Sequence, residues 1–64
     1  MVKVNGELLP VDGKTLSEYL ETTSFDIRRI VIERNEEIVS KSDYNDVILK
    51  DGDIVEVVSF VGGG

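Results

Sequence analysis

Ile54-Val55-Glu56-Val57-Val58-Ser59-Phe60-Val61 reads as one strand, apolar at most positions on both faces, and it runs directly into Gly62-Gly63-Gly64. A strand of that kind belongs near the middle of a sheet, covered on at least one side. A glycine run between two elements would be a linker. At the end of a chain it is instead a side-chain-free arm whose last group is the α-carboxylate of Gly64. Without Cβ atoms the arm is slender and adopts positive φ at no steric cost, so it fits a narrow cleft that bulkier peptides cannot enter. The plainer reading is a frayed end, since termini tolerate change.

Working back from that strand, Lys50-Asp51-Gly52-Asp53 is a tight turn. At the other end of the chain, Val2-Lys3-Val4 alternates apolar and polar residues and meets Asn5-Gly6, a hairpin signal because both residues tolerate positive φ. The return strand is expected over residues 7–11. Pro10 makes it an edge, because proline has no N–H for a second neighbour. Thr15-Leu16-Ser17-Glu18 has the form of a capping box. Leu16, Tyr19 and Leu20 then give a short helix one apolar face. Thr22-Thr23-Ser24 ends it, and Phe25 and Ile27 are expected to plug the end of the core. Ile30 to Arg34 is β-branched and strand-like, Asn35-Glu36 turns, and residues 37–40 form a short partner strand. Residues 42–46 are rich in turn formers and have room for one helical turn.

The order ββαββ, a pause, then β leaves the last strand to fill the middle of the sheet, beside the first through a right-handed crossover. This predicts an α+β, β-grasp (ubiquitin-like) fold: a mixed sheet of four to five strands with one main helix on one face. The domain is expected over residues 1–61, with 62–64 as a flexible glycine tail.

Composition narrows the function classes. Sixty-four residues with neither Cys nor His exclude intramolecular disulfides and leave only carboxylates for a zinc site, a poor donor set. Thirteen acidic against seven basic residues give a net charge of −6. That charge disfavours nucleic acid and favours partners with basic grooves. The sequence shows no membrane span and no signal peptide, and the expected location is cytoplasmic.

Candidates for catalysis within the chain are few. Acid–base or nucleophilic work would fall to carboxylates, Lys, Tyr or Ser. Asp51 and Asp53 flank a turn glycine and are read as turn formers; Glu36, Glu37, Asp43 and Asp46 are read as solvated surface. Arg28-Arg29 is the basic pair of the chain, read as a solvated strand entry paired with Asp26. If Val55 and Val57 face the helix, Glu56, Val58 and Phe60 face away. Val58 and Phe60 then form an apolar patch beside the tail, suited to a partner, unless a second small core around Tyr44 covers them.

These residues carry a resemblance. Val4-Asn5-Gly6-Glu7, Thr15-Leu16, Ile32-Glu33-Arg34-Asn35, Glu37-Ile38-Val39 and the run from Asp51 to Gly64 are similar to the ThiS family of sulfur carriers of thiamine biosynthesis, over the whole chain. The resemblance implies a protein co-substrate with no bound cofactor and no catalytic residues of its own. A ThiF-like adenylyltransferase would consume ATP to adenylate the Gly64 carboxylate. Sulfur from a cysteine desulfurase pathway would then convert it to a thiocarboxylate, and a ThiG-like thiazole synthase would accept that sulfur. Gly62 and Gly63 would keep the arm thin inside both partners, with Val58 and Phe60 as the docking patch. The family ends in Gly-Gly, and this chain carries a third glycine. Alternatives are a MoaD-like carrier for molybdopterin synthesis, a ubiquitin-like modifier, or an inert β-grasp interaction module.

Overall fold

The computed structural model describes residues 1–60. Five strands form one mixed sheet: β1 (Val2–Val4), β2 (Glu7–Leu9), β3 (Ile30–Arg34), β4 (Glu37–Val39) and β5 (Ile54–Ser59), in the order β2-β1-β5-β3-β4. The C-terminal strand is central, parallel to β1 and antiparallel to β3. One helix, α1 (Leu16–Glu21), covers one face. This is the β-grasp arrangement expected from the element order.

The local signals act where they occur. Thr15 Oγ1 accepts from the Glu18 N–H while the Glu18 carboxylate accepts from the Thr15 N–H, closing the capping box. Two further N–H groups at the helix start, of Leu16 and Ser17, donate to the carbonyls of Val47 and Tyr44. The six-residue helix is thereby tied to the loop beneath it. Leu16, Tyr19 and Leu20 pack on Val2, Val4, Ile30, Ile32, Val55 and Val57, with Tyr44 and Leu49 closing the side.

Both hairpins turn through asparagine at positive φ, 49° at Asn5 and 52° at Asn35. Each asparagine side chain also binds the central strand. Asn5 Oδ1 accepts from Val57 N at 2.8 Å and Nδ2 donates to Val57 O at 3.3 Å. Asn35 Oδ1 accepts from Ile54 N at 2.9 Å. The amides thus replace ladder bonds where the neighbouring strands have already turned away.

At the start of β5, Asp53 is 7% exposed. Its carboxylate accepts from Arg34 Nε at 2.9 Å, Asn35 Nδ2 at 3.0 Å and Lys50 N at 2.9 Å. Desolvation alone would raise its pKa. The Lys50 N–H, the Asn35 amide and the Arg34 guanidinium outweigh that and hold the carboxyl below its ordinary value. A depressed folded pKa means stability that is present above the unfolded pKa, about 3.9, and is lost as pH falls through the folded value. Asp53→Asn removes the charge and turns an amide N–H₂ toward a donor, an expected cost of about 2 kcal/mol at pH 7. In urea titrations the gap between wild type and variant should narrow below about pH 4.

Several boundaries differ from expectation. β2 ends at Leu9, not residue 11, because Pro10 bends the chain out of the ladder. β5 ends at Ser59, and Val61 lies outside the described residues. The helical turn expected over 42–46 is a 3₁₀ turn at Lys41–Asp43. Phe25 packs against the core as expected, but Ile27 begins a 3₁₀ turn and is exposed, so it plugs nothing. Tyr44 is buried in the main core under the helix and builds no second core on the opposite face.

Candidate functional site

The site begins where β5 leaves the sheet. β1 stops at the Asn5–Gly6 turn, so past Val57 the strand is paired only on the β3 side. Its last described rung is Phe60 N donating to Arg29 O at 2.7 Å. Strand alternation sends Val55 and Val57 into the core and leaves Glu56, Val58 and Phe60 on the open face, as the spacing predicts. Val58 is 48% exposed and Phe60 57%. Nothing described covers them, because Tyr44 lies on the other side of the sheet. Gly62, Gly63 and Gly64, the tail residues singled out from the sequence, lie outside the described residues.

The open face extends across the whole sheet. Leu8, Ile38 and Ile54 are exposed large apolar residues on it, in addition to the pair at the exit. Register places Lys3 beside Ile54, Val31 opposite Val58, and Glu33 between Glu56 and Ile38. A depression between β3 and β5 is lined by Glu33, Asn35, Glu36, Ile54 and Glu56.

The basic pair also comes to the exit. Arg28 and Arg29 end the 3₁₀ turn at Ile27–Arg29, and the Phe60–Arg29 backbone bond puts them beside Phe60. Asp26 caps that turn by accepting from Arg28 N at 3.0 Å and pairs with Arg28 Nε at 3.3 Å and Arg29 Nε at 3.7 Å. Hydrogen bonding to Arg28 holds the Asp26 carboxyl below its usual range. All three side chains are well exposed, so the pairing contributes little to stability. The Asp26 partnership was legible in the sequence; the position beside Phe60 was not.

Asp51 and Asp53, read as turn formers, do flank the Gly52 turn, where Asp53 N donates to Lys50 O. Asp53 additionally joins β3 to β5 through Arg34, a role its local sequence does not signal. Among the described residues, no group of three or more His, Cys, Asp or Glu comes together in a way that would hold a metal ion. No helix among them is long and apolar enough to cross a membrane.

Comparison with known proteins converges on one family. The family model described as "ThiS family" matches residues 2–64. The sulfur carrier protein ThiS of Thermus thermophilus is 42% identical over 64 residues, covering 100% of both chains. A thiazole synthase of Paramagnetospirillum magneticum is 46% identical over 62 residues, which are 95% of this chain but 19% of that protein. The crystal structure of a thiamine biosynthesis protein (ThiS) from Geobacter metallireducens superimposes with a TM-score of 0.78 at 27% identity, over 98% of this chain and 97% of that one.

Proposed function

The chain belongs to the ThiS family, and from that premise we propose that it carries sulfur for thiazole formation in thiamine biosynthesis, as a thiocarboxylate on Gly64. It acts as a protein co-substrate and not as an enzyme. The observation that carries this reading is that the central strand of the sheet, with its last described rung at Phe60, is followed in sequence by Val61 and three residues without side chains.

A carboxylate is a poor electrophile and needs a better leaving group before sulfur can displace oxygen. The Gly64 carboxylate oxygen attacks the α-phosphorus of ATP on a ThiF-like adenylyltransferase, expelling pyrophosphate and leaving an acyl-adenylate. The outer sulfur of a persulfide from a cysteine desulfurase pathway then attacks the acyl carbon and AMP leaves; a thiol reduces the resulting acyl disulfide, its own sulfur joining the persulfide carrier's in a disulfide, and frees the thiocarboxylate. The partners supply the catalytic groups and consume the ATP, and this chain needs no cofactor of its own. Gly62 and Gly63 keep the arm narrow within each partner. Val58 and Phe60, exposed beside the exit, are the docking patch.

The recipient is a ThiG-like thiazole synthase. A protein named thiazole synthase contains a segment similar to 95% of this chain, which supports carrier and synthase working on the same sulfur. The setting is cytoplasmic, where ATP is available.

Intact mass spectrometry tests the reading. Incubated with its adenylyltransferase, ATP and a sulfide source, the chain should gain about 16 Da as sulfur replaces one oxygen at the terminus. No mass change with an enzyme shown to be active would overturn the proposal. Stable conjugates with lysines of other proteins would instead favour a modifier.

A further inference from the structure

The middle of the open face carries an arrangement that folding alone does not favour. Glu33 on β3 stands directly opposite Glu56 on β5. The bonds Asn35 N to Ile54 O and Phe60 N to Arg29 O, two and four residues away along the ladder, place this pair in the hydrogen-bonded class. Opposed Cα atoms there lie roughly 5.5 Å apart. Like charges directly opposite one another destabilise a sheet. Among the described residues no cation forms an ion pair with either glutamate. Lys3 shares the face, one strand away, and pairs with neither.

The surroundings are apolar. Ile54 lies beside the pair on β5, and Ile38 stands across from Glu33 on β4; both are exposed. Val58 continues the surface to the tail exit. The result is a partly apolar sheet face with an uncompensated double negative charge at its centre, in a chain of net charge −6. An apolar partner face alone would bury those two carboxylates without counter-ions, at a large desolvation cost. The complement is an apolar face that presents a cation at its centre. Arginine suits it, because its planar donors reach both carboxylates while its stem lies on Ile54.

We propose that the docking surface runs from Val58 down the open face to Ile54 and Ile38, and that it takes a face of the adenylyltransferase whose centre is an arginine or lysine bridging Glu33 and Glu56. The proposal rests on the carrier reading above and adds the partner's chemistry to it. The two glutamates are then retained for binding, against their cost to folding.

Opposite changes in stability and affinity test this. The double variant Glu33→Gln, Glu56→Gln keeps both shapes and removes both charges. Its melting temperature should rise by about 3 °C. Its Kd for the adenylyltransferase, measured by titration calorimetry without ATP in about 50 mM NaCl, should weaken at least about tenfold. Near 300 mM NaCl that gap should shrink, because salt screens the attraction between the acidic face and the approaching cation. A Kd within about twofold of wild type, or a lowered melting temperature, overturns the inference. If wild type is thiocarboxylated normally while the variant binds equally well, this inference alone fails. If wild type neither binds nor gains sulfur, the carrier reading fails and this one with it.

Discussion

Deletion of Gly64 is expected to lower thiocarboxylate formation at least about a hundredfold while leaving the melting temperature within about 1 °C of wild type. The reacting carboxylate is then carried by Gly63, and the arm is shorter by up to about 3.5 Å. Adenylation requires the carboxylate oxygen to sit in line with the α-phosphorus, and displacements near 1 Å already cost about a hundredfold in positioned reactions. On the proposed docking the domain cannot follow the shortened arm, because β5 is held between β1 and β3 and its open face would lie against the partner. The mass assay reads the first effect and thermal unfolding the second. Unaltered thiocarboxylation of the shortened chain would move the reacting group off Gly64.

Ile32→Ala should produce the largest loss of stability. Ile32 is fully buried, opposite Val57 on one side and Val39 on the other, facing the helix. Removing three carbons from such a position costs about 3–4 kcal/mol, the lost transfer energy plus the cavity left behind. A domain of 64 residues has roughly 3–10 kcal/mol in total, so the variant would melt about 20 °C lower. Ile38→Ala, one strand away on the open face and 73% exposed, is the contrast: its stability should change by less than about 0.5 kcal/mol. A loss under about 1 kcal/mol at Ile32 would contradict the core assignment.

Much of the fold was legible because its signals are local. Asn5-Gly6 and Asn35-Glu36 announce hairpins, Thr15 with Glu18 announces a helix start, and the spacing of Leu16, Tyr19 and Leu20 gives its buried face. Apolar residues on both faces of 54–61 correctly placed β5 at the sheet centre. For the other face the sequence left two readings, an open apolar patch or a second small core around Tyr44, and the structure has the open patch. Ile54, Val58 and Phe60 are exposed, and grouped exposed apolar residues suit a partner surface. Ile27 misled because apolar character does not say which way a 3₁₀ turn points. Asp53 was half read. Its turn role follows from neighbours three residues away, whereas its bonds to Arg34 and Asn35 cross the sheet.

What the sequence determined by itself is whatever depends on period and turn chemistry: the order of elements, the face each strand and the helix buries, the edge at β2 and the side-chain-free arm. What only the tertiary structure decided is register. That Glu33 faces Glu56, that Arg29 holds Phe60, and that Asp53 meets Arg34 all depend on strands far apart in the chain sliding to one alignment. That alignment is set by packing Ile32 against Val57 on the core side. Successive residues alternate faces, so fixing the buried pairs also fixes every pair on the open face, including a charged one that folding alone would avoid.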